Sequence, residues 1–127
     1  MAETGRLLTA MVTPFTPGGE VDYAQAQRLA MALLSSGSDG VVVGGTTGEA
    51  PTLTTEEKLR LFAEIKRTVG DAGAVVAGTG NYNTAESIEL SREAERVGVD
   101  GLLLTCPYYN KPTQEWLFRH FEAIAKA

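Results

Sequence analysis

The sequence predicts a parallel α/β fold, and three observations predict it. Short β-branched runs alternate with helical stretches four times along the 127 residues. Those runs are apolar throughout, as strands are when a sheet is covered on both faces. The βα unit recurs about every 30 residues, the usual length of one such step. Two architectures fit the pattern, a doubly wound open sheet or part of a barrel.

The first strand reads Leu7 to Thr13 and is closed by Pro14, which cannot continue a ladder. Pro17-Gly18-Gly19 is a turn, and Asp22 caps a helix from about Tyr23 to Ser36. Gly37 and Gly40 bracket its exit into the second strand, Val41 to Val43, which opens into a loop of small residues from Gly44 to Leu53. Thr54 or Thr55 caps the second helix, with Glu57 set for a capping box if Thr54 is the cap. Along that helix Leu59, Phe62, Ile65 and Val69 recur at helical spacing, and Glu56 and Arg60 are spaced to pair across one turn. After Gly70 and Gly73 the third strand is Ala74 to Ala77, and a helix from about Thr84 to Val97 stops at Gly98. The fourth strand is Gly101 to Thr105, followed by a loop from Cys106 to Thr113. The last helix places Leu117, Phe118, Phe121, Ile124 and Ala125 on one face. It stops without a C-cap glycine, so the chain reads as cut rather than finished. Four units are half of a barrel, which takes about 250 residues. The edges of the first and fourth strands then each invite a partner.

Composition narrows the function. A formal charge of −5, with no basic cluster, argues against a nucleic-acid partner. No apolar run approaches the roughly 20 residues that cross a bilayer, and the polar start lacks a signal-peptide core. The single cysteine, Cys106, cannot form an internal disulfide, so the reading is a cytoplasmic protein. One histidine, His120, and no CxxC or HExxH spacing identify no metal site.

Ligands of parallel α/β folds sit beyond the carboxyl ends of the strands. Those ends carry Thr13-Pro14-Phe15, Gly44-Gly45-Thr46-Thr47-Gly48-Glu49, Gly78-Thr79-Gly80-Asn81 and Pro107-Tyr108-Tyr109-Asn110. In the second run, glycines on both sides of Thr46-Thr47 let the backbone turn tightly and present N–H groups and two hydroxyls to an anion such as a small carboxylate. The bland alternative is a glycine-rich turn capped by threonines. A nucleotide fits less well, because no Walker lysine follows and the spacing is not GxGxxG. Tyr108 and Tyr109 offer phenols for proton transfer, or simply aromatics that pack a loop or an interface. His120 reads as a surface or packing residue away from the rim, and Cys106 lacks a cationic sequence neighbour that would activate it.

Together, Gly45-Thr46-Thr47-Gly48-Glu49, Gly78-Thr79-Gly80 and the run from Pro107 to Glu115 (PYYNKPTQE) resemble the dihydrodipicolinate synthase family. The likeness runs along the whole chain. The first motif is shared with sister pyruvate aldolases, whereas PYYNKPTQE is more specific. The resemblance implies that residues 1–127 are the first four βα units of a (β/α)8 TIM barrel, the amino-terminal half of a lyase domain. It implies a homo-oligomer, dimer or tetramer, that condenses pyruvate with aspartate semialdehyde in lysine (diaminopimelate) biosynthesis through a Schiff-base lysine, with no cofactor. Matched motif to motif, Thr46 corresponds to a proton-relay threonine, and Thr47, with Gly45 beside it, to the holder of the pyruvate carboxylate. Tyr109 corresponds to the tyrosine that crosses into a neighbouring subunit, and Tyr108 to its interface neighbour.

Departures from the family pattern carry equal weight. The nucleophilic lysine, a second relay tyrosine and a substrate-binding arginine lie on later strands in the family, beyond Ala127. Of Lys58, Lys66, Lys111 and Lys126, none matches the nucleophile position and none is expected to be buried, so the isolated chain is expected to be inactive. The lysine-feedback site of some members uses two histidines where this chain has Thr55 and Lys58, although Glu86 and Tyr108 still fit that site. This argues against inhibition by lysine. Trp116 stands where many relatives have glycine, with extra packing as its only evident role. Two competing readings are a non-catalytic half-barrel that self-associates and binds a small carboxylate, and a sister aldolase with another acceptor aldehyde.

Overall fold

The computed structural model describes residues 4–127. Strands β1 (Leu8–Ala10), β2 (Gly40–Val43), β3 (Ala74–Gly78) and β4 (Gly101–Leu103) alternate with helices α1 (Tyr23–Ser35), α2 (Thr55–Val69), α3 (Thr84–Val97) and α4 (Gln114–Ala125). A short 3₁₀ turn, Ala50–Thr52, precedes α2. The strands form one sheet in the order β1-β2-β3-β4, all parallel, with Thr9 beside Val41, Val41 beside Val75 and Ala77 beside Leu102.

That order decides between the two architectures. A doubly wound sheet reverses its strand order at a switch point, whereas here each strand adds beside its predecessor in one direction. Right-handed crossovers then place every helix on the same side. Val41, Val43, Val75 and Ala77 are fully buried on that side with Leu61, Phe62 and Ile65 of α2. Each fully buried large side chain contributes roughly 1.5–3 kcal/mol. The fold is an arc of a (β/α)8 barrel, its first four βα units.

Local signals act largely as the sequence implies. Asp22 accepts from the N–H of Gln25 at the start of α1. Thr54 and Glu57 close a reciprocal capping box at the start of α2. Gly98, at φ 88°, ends α3 in the left-handed region.

Several expectations are corrected. β1 is shorter than Leu7 to Thr13, because the chain beyond Met11 bonds elsewhere: Thr13 Oγ1 donates to Gly48 O, and Pro14 O accepts from Asp22 N. β4 stops at Leu103, whose carbonyl is taken by the N–H groups of both Thr79 and Gly80. Arg60 does not pair with Glu56; its guanidinium lies 4.0 Å from the Tyr23 ring centroid, a cation–π contact across α1 and α2. On α4 the buried positions are His120 and Ile124, while Phe118 is 63% exposed. His120 packs, as expected of it: Nδ1 lies 2.8 Å from Thr84 Oγ1 and the ring meets Phe121 edge-on. Trp116 is exposed, with Arg119 over its ring, rather than packed.

The amino-terminal ends of the strands are tied by two aspartates. Asp39 accepts from the backbone N–H groups of Arg6 and Leu7, and those bonds with Leu7 and then Arg6 hold its carboxyl below the usual value. Asp100 accepts from Val75 N at 2.9 Å and from Lys66 Nζ at 2.7 Å. Burial pushes the Asp100 carboxyl up, but the Lys66 hydrogen bond, the Val75 N–H and the Lys66 charge outweigh it, and the pKa lies below the ordinary 3.8. A carboxylate whose folded pKa is depressed adds stability above the unfolded value and loses it as acid protonates the folded state. Asp100→Asn is expected to cost roughly 2 kcal/mol near neutral pH, because it replaces charge-assisted bonds with weaker ones. Thermal melts of the two proteins should differ at pH 7 and converge as the pH falls below about 4; a gap independent of pH would contradict the assignment.

Candidate active-site rim

The loops after β2, β3 and β4 meet on one rim, and steric constraints bring them there. A Cβ on Gly78 would sit 2.2 Å from Gly44 O, and one on Gly80 would sit 2.3 Å from Thr105 N. Glycine at both positions lets neighbouring backbones approach closely. The second loop is held from below by the segment that follows β1, through the 2.6 Å bond from the buried Thr13 hydroxyl to Gly48 O.

The turn that carries Gly45, Thr46 and Thr47 is partly self-satisfied. Gly48 N and Ala50 N donate to Gly45 O, and Glu49 N donates to Thr46 O. Glu49 consequently sits in the left-handed region at φ 58°, with its carbonyl accepting from Thr52 Oγ1. This leaves Thr46 and Thr47 at the tip, exposed, and their N–H groups take no backbone partner among the described residues. An anion would meet two N–H groups and two hydroxyls there, fewer donors than a fully open nest presents.

A cavity of about 70 Å³ is lined by Gly44, Gly45, Thr46, Gly80, Thr105 and Tyr108, among others. Tyr108 also borders a second, larger cavity of about 230 Å³ that is lined by Lys58, Asn81, Tyr82 and Glu86. The Tyr108 ring meets Tyr82 edge-on at 5.1 Å, so it forms the wall between the two spaces. Glu86 lies at the first turn of α3 and accepts from the side-chain amides of Asn81 and Asn83.

Tyr109 stands apart from both cavities. It is 96% exposed and adopts φ 70°, the centre of a three-residue turn closed by Asn110 N donating to Tyr108 O. A bulky aromatic in that conformation is strained. Thr79, on the rim in sequence, is 1% exposed and faces away, its Oγ1 accepting from Ser91 of α3 at 2.8 Å. Thr13 and Thr105 are the rim residues that sequence reasoning passed over as functional. Their signal was a hydroxyl at the end of an otherwise apolar strand.

As expected, none of the four lysines is buried, although two of them are partly covered. Lys66 is 23% exposed and bound to Asp100, and Lys58 is half-buried. Burial lowers the Lys58 ammonium pKa, against the opposing pull of Glu86. Both are on α2, in the helix layer, because their alkyl stems cover apolar surface there. Neither stands at the end of a strand. Cys106 is exposed on the rim. No group of three or more candidate metal ligands, and no helix long and apolar enough to cross a membrane, occurs among the described residues.

Comparison with known proteins agrees with this architecture. Residues 3–127 match the model of the dihydrodipicolinate synthetase family. A 4-hydroxy-tetrahydrodipicolinate synthase from Moorella thermoacetica is 65% identical over 123 residues, which cover 97% of this chain and 42% of that protein. A dihydrodipicolinate synthase from Bacillus anthracis superimposes with a TM-score of 0.96 at 48% identity, covering 99% of this chain and 43% of that one. One from Acinetobacter baumannii, complexed with pyruvate, gives 0.95 at 42% identity, covering 98% and 43%. The chain therefore spans a little over two fifths of the length of these relatives. With the family model matched almost end to end, the strand order of a barrel arc and the motifs on its rim, this chain belongs to the dihydrodipicolinate synthetase family.

Proposed function

We propose that this chain supplies the amino-terminal half of a TIM-barrel lyase domain with 4-hydroxy-tetrahydrodipicolinate synthase activity. That enzyme condenses pyruvate with aspartate semialdehyde, through a Schiff base on a lysine outside residues 1–127, on the way to lysine and diaminopimelate. The observation that carries the reading is the rim, where Thr46 and Tyr108 line one cavity beside Thr47 at the tip of the loop. In this reading the tip N–H groups and the Thr47 hydroxyl hold the pyruvate carboxylate, with the Gly45 backbone shaping the turn. The Thr46 hydroxyl relays protons, and Tyr109 takes the opposite end of that relay in a neighbouring subunit of a homo-oligomer. The strain and near-complete exposure of Tyr109 support this, since a partner surface would bury and stabilise such a side chain.

The testing experiment is borohydride reduction of the naturally produced protein in the presence of pyruvate, read by intact mass. One reduced pyruvate adduct, on a polypeptide roughly twice as long as this chain, is the expected result. A protein of 127 residues with no adduct would leave the self-associating carboxylate-binding half-barrel as the better account. Turnover with alternative aldehydes separates the sister-aldolase reading.

The larger cavity bears on regulation. Lys58 places an ammonium beside Glu86 and Tyr108, where a free lysine would bring more positive charge. Free lysine at millimolar concentration is expected to change the turnover of the full-length enzyme by less than about twofold, because like charges disfavour one another there. A steady-state rate series against lysine checks this, and strong inhibition would contradict it.

A further inference from the structure

Within residues 45–52 the backbone hydrogen bonds are internal to the turn that carries Thr46 and Thr47. They run from Gly48 N and Ala50 N to Gly45 O, from Glu49 N to Thr46 O and from Thr52 N to Glu49 O. Among the described residues, one hydrogen bond joins this turn to a distant segment, from Thr13 Oγ1 to Gly48 O at 2.6 Å. Both of its ends are buried.

This bond takes over where the ladder ends. Met11 N still donates to Val42 O, in step with β1 and β2. Two residues on, a side chain reaches across instead of the backbone. Gly48 is pressed against that exit, since a Cβ there would lie 3.1 Å from Thr13 Oγ1, 3.2 Å from Met11 O and 3.3 Å from Gly44 N. Its N–H is committed to Gly45 and its carbonyl to Thr13, so the peptide planes on both sides of it are fixed. Thr47 contributes its carbonyl to the first of those planes, and Thr46 precedes it. The outward aim of the two tip N–H groups is thus set from the exit of β1.

We propose that Thr13 is a positioning residue that holds the tip in its anion-binding conformation. The inference rests on the synthase reading for the identity of the anion, pyruvate, but not for the tether itself. Without the hydroxyl, Gly48 O becomes a buried acceptor with no partner, a cost the turn relieves by shifting away. The tip then spends part of its time in other conformations. A ligand's apparent affinity falls by the fraction of protein competent to bind it, and saturating ligand restores that fraction. The signature is a raised KM with kcat kept. Loss of folded protein does not mimic it, since unfolding removes active enzyme and lowers the apparent kcat without changing KM.

The test uses the full-length protein with Thr13→Ala and Thr13→Ser. Thr13→Ala is expected to raise the KM for pyruvate about tenfold, the equivalent of one net hydrogen bond. Its kcat should stay within about threefold of the wild type. Thr13→Ser keeps a hydroxyl donor and should keep KM within about twofold. Hydrogen exchange, read by mass spectrometry, should speed up in Thr13→Ala at the amides of Gly48, Glu49 and Ala50 and stay unchanged in α2. Thr13→Val, which keeps the buried volume, is read in the same way if Thr13→Ala does not fold. An unchanged KM beside a lower Tm would overturn the proposal and leave Thr13 a purely structural residue, as would failure of both variants to fold. Unaltered exchange in the turn would overturn it too, and so would a Thr13→Ser protein as impaired as Thr13→Ala. If the wild-type protein forms no pyruvate adduct, the synthase reading fails separately, and the tether is judged on the exchange of the turn.

Discussion

Replacing Thr46 with valine in the full-length protein is expected to lower kcat at least about a hundredfold, the lower bound for losing a positioned proton-transfer group. The melting temperature should hardly move, because Thr46 is exposed and substitutions at such sites usually shift stability by less than about 0.5 kcal/mol. The combination is diagnostic. Schiff-base formation with pyruvate should persist, read by the same borohydride trapping, because the proposed nucleophile lies outside residues 1–127. Turnover at the wild-type rate would remove Thr46 from the relay and with it the best-placed hydroxyl of the rim. A matching loss of stability would instead mean that the side chain serves the turn, as the Thr13 hydroxyl does from beneath it.

The largest structural effect is expected at Gly78. A methyl group there would lie 2.2 Å from the Gly44 carbonyl oxygen and 2.6 Å from its carbon, both backbone atoms that no rotamer change can move. Gly78→Ala is expected to cost about 3 kcal/mol or more, the upper range for forced overpacking. It should be seen as a Tm drop of many degrees or as loss of soluble protein. Gly70→Ala is the control. It has open space around it, and its φ of 53° alone is expected to cost about 1 kcal/mol. Equal melting temperatures for the two variants would mean that the β2 and β3 ends are not pressed together as described.

The fold was legible where single residues decide it. Thr54 and Glu57 announce a helix start, Gly98 a helix end, and the valine runs a covered strand, because each is a choice made within a few residues. Where a strand stops was not legible. The ends of β1 and β4 depend on which distant group captures a carbonyl or hydroxyl, as Gly48 O takes Thr13 and Leu103 O takes two N–H groups from the β3 side. Arg60 shows the same limit: its neighbour one turn away loses to an aromatic ring on α1, 37 residues distant in the chain. On the rim, the motifs identified which loops come together beyond the strand ends. They could not tell that Thr79 turns outward to Ser91 while Thr105 faces the cavity, since both follow an apolar strand and only packing against α3 separates them.

The sequential strand order has a consequence for synthesis. Each strand pairs with the one made just before it, so the sheet can lengthen in step with the ribosome, at about 5–20 residues per second. Each of these three pairings closes a loop of one βα unit, and loop-closure entropy grows only slowly with length, so none of them waits on a distant segment. What the emerging chain carries throughout is a growing edge. Leu102 and Leu103 on β4 are 40% and 39% exposed, a strip of apolar strand left open at the edge of the sheet. Until it is covered, that strip is where a nascent chain would either recruit a chaperone or pair with the wrong neighbour.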